Sequence, residues 1–87
     1  MKLTGQVTVN GDNPADSAVV EIHNSQGDVL DQVQVDGEGR FTYHLTAGKW
    51  TLNVWDAHGH RGKCSVTLED KDKVCDVILE EPKGAVG

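Results

Sequence analysis

The chain has 87 residues, the length of one small domain, and its 14 Asp and Glu residues outnumber its 8 Lys and Arg residues. The formal net charge of −6 argues against nucleic acid and anionic membrane surfaces as partners, because both attract basic proteins. A domain of this size has room for one core layer between two sheets and for no deep substrate cavity. No apolar run approaches the ~18 residues that a membrane span needs.

Short segments of alternating apolar and polar residues follow one another, separated by turns rich in Gly, Asn and Asp. This period is typical of strands with one buried face. The pattern predicts an all-β fold, a seven-stranded antiparallel Ig-like or transthyretin-like β-sandwich with Greek-key connections. The predicted domain covers residues 1–80, and residues 81–87 are expected to form a flexible C-terminal tail. Strands are expected at residues 2–10, 18–23, 29–36, 40–45, 49–56, 63–68 and 74–80.

The segment 36–56 is expected to lie at the centre of the core. Phe41 and Tyr43 share the inward parity of one strand, and Trp50 has the inward parity of the next. Residues 46–49 form a short connection that contains Gly48, which is typical of a hairpin. We therefore predict that these two strands pair with each other.

Cys64 and Cys75 share inward parity on the last two predicted strands, which we expect to pair as a second hairpin. A disulfide between them would close a loop of about twelve residues and contribute roughly 3 kcal/mol. The alternative is two buried thiols that pack as small apolar side chains. The chain starts with a strand pattern and no signal peptide, which indicates the reducing cytoplasm if the sequence is complete. A domain excised from a longer secreted protein would be extracellular.

Four segments together resemble carboxypeptidase regulatory-like domains: LTGQV at 3–7, SAVVEI at 17–22, DGEGRF at 36–41 and LTAGKWTLNV at 45–54. The resemblance covers residues 3–79 and implies a transthyretin-like sandwich. It implies little about function, since such sandwiches have many roles. Transthyretin-like hydrolases carry a His in the first strand and a Tyr-Arg-Gly-Ser ending, and neither is present here. Nucleophile elbows and phosphate-binding loops are absent as well, so we expect a protein that is not an enzyme.

Metal-ligand chemistry is concentrated in Asp56, His58, His60 and Cys64. A His-x-His segment in extended conformation places both imidazoles on one side, where their neutral nitrogens can hold zinc, copper or nickel at ~2 Å. The alternative is a pair of solvated loop histidines and no cofactor. His23 and His44 have outward parity on separate strands and are expected to be surface residues.

Trp55 has the parity opposite to Trp50 and is expected to point away from the core. An outward Trp is either packed under a long loop or part of a binding surface. Leu30, Val19 and Ile78 share this parity and would form an apolar patch with Trp55 if the fold brings them together.

Two hypotheses follow. The first is a non-enzymatic binding or structural module that docks a protein partner, or a second copy of itself, through Trp55, Leu30 and Asp56. The second is a small metal-binding protein that uses His58 and His60.

Overall fold

The computed structural model describes residues 1–80, which form two β-sheets packed face to face and contain no helix. The all-β sandwich predicted from the sequence is confirmed. Nothing in the described residues forms a helix that could span a membrane. The predicted tail, residues 81–87, lies outside the described residues. The strands are β1 (Lys2–Val9), β2 (Asn13–Pro14), β3 (Val19–His23), β4 (Val29–Gln34), β5 (Arg40–His44), β6 (Gly48–Trp55), β7 (Arg61–Leu68), β8 (Lys73–Val74) and β9 (Val77–Leu79).

The first sheet is organised around β1. Strands β2 and β5 pair antiparallel along one side of β1, and β8 and β9 pair parallel along the other side. The fully antiparallel sandwich that the sequence predicted is therefore wrong for β8 and β9, which run parallel to β1. The predicted last strand is also interrupted at Cys75 and Asp76, although its register with β1 is the same on both sides of the interruption. Gly5 lies opposite the interruption, and a Cβ atom at position 5 would overlap the carbonyl oxygen of Cys75.

The second sheet has four antiparallel strands in the order β4-β3-β6-β7. Its inward residues alternate with outward polar residues, as period-two patterning requires. At the β3–β4 connection the register shifts between Ile22 and His23, so that Leu30 is passed over in the pairing. As a result Val29 lies opposite the outward residue His23 and is 54% exposed.

The core lies between the sheets and takes side chains from both. Phe41 is buried as predicted, and Leu45 is buried with it, while Tyr43 and Trp50 are partly buried against the same cluster. Burial of apolar side chains is the main favourable term for a domain of this size. The largest fully buried side chains are those of Leu3, Val7, Val20, Ile22, Leu52, Val54, Leu68 and Leu79.

The predicted hairpin in segment 36–56 is wrong. Strand β5 pairs with β1 in the first sheet, whereas β6 pairs with β3 and β7 in the second. The short connection before Gly48 therefore carries the chain from one sheet to the other. Alternation indicates which face of a strand is buried, but two strands that face each other across a core show the same alternation as two that pair.

The expected hairpin of the two cysteine-bearing strands is also wrong, because β7 and β9 belong to different sheets. The structure nevertheless joins Cys64 on β7 to Cys75 by a disulfide with a Cα–Cα distance of 7.0 Å. Three residues before Cys64, Arg61 exchanges two backbone hydrogen bonds with Glu80. The two sheets are therefore tied together along this side of the sandwich.

The opposite side of the sandwich is tied by a side-chain hydrogen bond. The Tyr43 hydroxyl on β5 donates to Asp31 Oδ2 on β4 at 2.8 Å. This contact raises the pKa of Tyr43 and lowers the pKa of Asp31, because the carboxylate form accepts the bond. Both open sides of the sandwich therefore carry a link between the sheets.

Candidate functional site

The outer face of the four-stranded sheet carries Trp55 and a network of polar side chains. It is formed by the outward residues of β3, β6 and β7, whose registers place them in rows across the sheet. Val19, Trp55 and Arg61 form one row, and Glu21, Asn53 and Lys63 form the next. His23, Thr51 and Ser65 form the third.

Trp55 is partly buried at the end of β6 and lines a groove with residues of three strands. The groove has a volume of about 530 Å³. Its walls come from β3, β6 and β7, and no loop residue within 1–80 lines it. Of the two alternatives that the sequence left open for Trp55, the strand-walled groove favours the exposed surface. We call it the tryptophan groove; its lining residues are Glu21, Asn53, Trp55, Arg61 and Gly62.

The expected apolar patch around Trp55 does not form. Of the residues with matching parity, Val19 lies beside Trp55, but Ile78 is on β9 in the other sheet. Leu30, which is 52% exposed, follows Val29 opposite His23 at the far end of β3. Four residues of strand separate those ends, or about 13 Å. Leu30 and Trp55 are therefore not parts of one surface patch.

A polar network occupies the middle of the same face. His23 Nε2 lies 2.6 Å from Glu21 Oε1 and 3.0 Å from the Asn53 amide, and Gln32 Nε2 donates to Glu21 Oε2 at 2.6 Å. The hydrogen bonds from Gln32 and then His23 lower the pKa of Glu21. The sequence predicted His23 to be a surface residue but did not predict the network. The sequence does show polar residues at the outward positions of β4, β3 and β6. That these three strands are neighbours in one sheet, and that the polar residues therefore meet, follows only from the strand order.

Asp56 closes the β6–β7 connection next to Trp55. Its side chain is almost fully buried, with the residue 7% exposed, and Oδ1 accepts the backbone N–H groups of His58 and His60 at 2.9 Å. Oδ2 lies 2.8 Å from His60 Nδ1. Burial alone would raise the pKa of Asp56, but the hydrogen bonds from His60 and His58 outweigh it and lower the pKa. Asp56 therefore organises the loop and does not face outward with Trp55.

The two loop histidines lie near each other, with ring centroids 6.2 Å apart. His60 is oriented by its contact with Asp56. Cys64 forms a disulfide with Cys75 and so cannot act as a thiolate ligand of the expected cluster. Within residues 1–80, no group of three or more His, Cys, Asp or Glu side chains is arranged to hold a metal ion. The four-residue cluster expected from the sequence is therefore reduced to two imidazoles.

Solved structures similar to this chain show the transthyretin-like fold. The TIE protein of Bacillus anthracis matches with a TM-score of 0.73 and 19% identity, over 93% of this chain but 17% of that protein. The 5-hydroxyisourate hydrolase of Klebsiella pneumoniae matches with a TM-score of 0.72 and 15% identity, over 94% of this chain and 92% of that enzyme. A DUF3823 family protein from Parabacteroides merdae matches with a TM-score of 0.67 and 18% identity, over 90% of this chain and 44% of that protein.

At these identities the likeness establishes the fold and no activity. This chain spans less than half of the TIE and DUF3823 proteins and nearly all of the hydrolase. No curated protein matches the sequence. A family model described as a protein of unknown function, DUF1416, matches residues 1–79, and the chain therefore belongs to the DUF1416 family.

Proposed function

We propose that this domain is a non-enzymatic binding module that docks a protein partner on the outer face of the four-stranded sheet at the tryptophan groove. The observation that carries the proposal is the position of Trp55, a large aromatic side chain that lies partly exposed in a groove walled by three strands. Trp is enriched where proteins bind one another, because it buries a large area and loses few rotamers.

The composition of the groove supports a protein partner. Trp55 provides an apolar anchor, while Glu21, Asn53 and Arg61 provide charged and amide groups around it. An apolar centre with a polar rim is the usual anatomy of a protein interface. The carboxypeptidase regulatory-like resemblance is consistent with this role, as is the match to one part of larger proteins such as TIE.

The absence of an enzyme role is part of the proposal. Two carboxylate–imidazole pairs lie at or near the groove, Glu21 with His23 and Asp56 with His60. Within residues 1–80, neither imidazole is hydrogen-bonded to a hydroxyl or thiol nucleophile. Glu21 is bound by Gln32 as well, and Asp56 accepts two backbone N–H groups of its own loop, so each carboxylate already has a structural role.

The test compares Trp55→Ala with Leu30→Ala, which truncates an apolar side chain at the other end of the same sheet. Affinity capture from the native host identifies the partner, and binding is then measured with both proteins purified. Trp55→Ala is expected to weaken binding roughly tenfold or more, as truncation of an interface anchor does, whereas Leu30→Ala retains it. Both variants are expected to keep a cooperative melting transition.

Self-association is the other form that the interaction can take, and sedimentation velocity of the wild-type protein and both variants measures it. The proposal fails if Trp55→Ala matches the wild-type protein in both partner binding and sedimentation while remaining folded.

A second candidate is metal binding at His58 and His60. It is supported by the contact between Asp56 Oδ2 and His60 Nδ1, since a carboxylate on one ring nitrogen orients the other nitrogen for a metal. Zinc, copper or nickel should then raise the melting temperature of the wild-type protein, and the rise should disappear in the His58→Ala/His60→Ala variant. His44→Ala removes a histidine on β5 and is the control. An unchanged melting temperature with all three metals would eliminate this candidate.

A further inference from the structure

We infer that the outer face of the four-stranded sheet carries a binding site for a small oxyanion, a carboxylate or a phosphate, held between Lys49 and Lys63. The site is a second groove of about 450 Å³ on the same face as the tryptophan groove. We call it the lysine groove. It is defined by Lys49, Lys63, Thr51, Ser65, His23 and Trp50, together with neighbouring residues of β6 and β7.

The charge of the lysine groove is opposite to that of the whole chain. Although Asp and Glu outnumber Lys and Arg in the sequence, no carboxylate among residues 1–80 lines this groove, and two lysines do. The ion pairs within that part of the chain involve neither Lys49 nor Lys63. Two cations in a concave region raise the local concentration of small anions.

The strand registers place the two lysines on either side of a hydroxyl-bearing row. Lys63 pairs with Asn53 and Lys49 pairs with Thr67, while Thr51 pairs with Ser65 between them. The Cα positions of the two lysines are separated by about 14 Å along the strands, and each side chain can reach several ångströms toward the centre. Hydroxyl donors between two ammonium groups match the acceptors of a carboxylate or a phosphate.

The nearest carboxylate on this face does not neutralise the groove. Glu21 is hydrogen-bonded through both oxygens, to His23 and to Gln32, and it does not line the groove. His23 lies between Glu21 and the groove. An anion in the groove therefore meets the imidazole and the two lysines before it meets Glu21.

Trp50 and Val66 also border the groove, but both have inward parity and pack against the core. The groove therefore offers a ligand two ammonium groups, an imidazole and hydroxyl groups. The ligand class is a small oxyanion, either a carboxylate or a phosphate.

The experiment titrates ¹⁵N-labelled protein with phenyl phosphate or with benzoate at constant ionic strength, and phenol is the neutral control. Saturable shifts are expected at the Thr51 and Ser65 amides. Lys49→Gln and Lys63→Gln should each weaken binding roughly three- to tenfold, as loss of a charge-assisted contact does. Lys71→Gln removes the same charge from a residue that does not line the groove, and this variant should bind like the wild-type protein.

Comparison of the two ligands distinguishes a phosphate site from a carboxylate site. The inference is overturned if neither anion gives saturable shifts, if phenol gives the same shifts, or if Lys71→Gln weakens binding as much as Lys63→Gln. The last result would mean that the lysines act only as general surface charges. Because Trp55 lies outside this groove, the outcome is independent of the protein-docking test.

Discussion

Three of the turns between strands are stabilised by the same pattern of side-chain hydrogen bonds. An Asp or Asn side chain accepts the backbone N–H groups two and four residues ahead, and a glycine three residues ahead has positive φ. Asx residues favour such turns because they can replace a backbone acceptor, and glycine adopts positive φ without strain. The three pairs are Asn24 with Gly27 (φ +86°), Asp36 with Gly39 (φ +78°) and Asp56 with Gly59 (φ +89°).

Asp56 differs from the other two because it is buried and also contacts the His60 ring. Its pKa is lowered in the folded protein. A carboxyl group in the unfolded chain has a pKa of about 3.9, so the folded state favours the ionised form. The resulting stabilisation is fully present above about pH 3.9 and is lost as the pH falls through the lower folded value.

We therefore predict that Asp56→Asn lowers the free energy of unfolding by about 1–3 kcal/mol near neutral pH, since a buried charged acceptor is lost. The difference from the wild-type protein should shrink as the pH falls below about 4, because only the wild-type side chain titrates there. Urea unfolding at about pH 6 and about pH 2.5 measures it. Asp36→Asn, the same change in an exposed turn, should have a smaller effect. A pH-independent difference for Asp56→Asn would contradict the prediction.

At the scale of elements, the strands were predictable and their partners were not. Alternation located the strands because burial of one face imposes period two locally. Pairing depends on contacts between distant residues, such as Gly5 with Phe41, that no local pattern encodes. For this reason segment 36–56 was predicted as a hairpin although its strands lie in different sheets.

The candidate site was predictable to a similar degree. Parity placed Trp55 on an outer face, but only the strand order shows that Val19 and Arg61 flank it and that Leu30 does not. The lysine groove depends on the register of β6 with β7, which brings Lys49 and Lys63 to one face. The spacing of Asx and Gly, by contrast, was visible in the sequence and could have located three turns.

At the scale of the whole molecule, the sandwich is linked along both sides where the sheets would otherwise separate. Tyr43 and Asp31 link β5 to β4, and the disulfide links β7 to the segment between β8 and β9. A domain of this size buries a small core, so a covalent link between its sheets is a sizeable part of its stability, whereas the Tyr43–Asp31 hydrogen bond is exposed to water and contributes less. The covalent link is the stronger of the two.

We predict that the Cys64→Ala/Cys75→Ala variant is less stable than the oxidised wild-type protein by about 3 kcal/mol. The sequence separation of 11 residues sets this value, because the cross-link reduces the conformational entropy of the unfolded chain. Denaturant unfolding with and without a thiol reductant is the measurement. The reductant should destabilise the wild-type protein by a similar amount and leave the variant unchanged, which separates loss of the bond from loss of packing at two sites. Two titratable thiols in the untreated protein, together with no response to reductant, would show that the sheets are held by packing and hydrogen bonds alone.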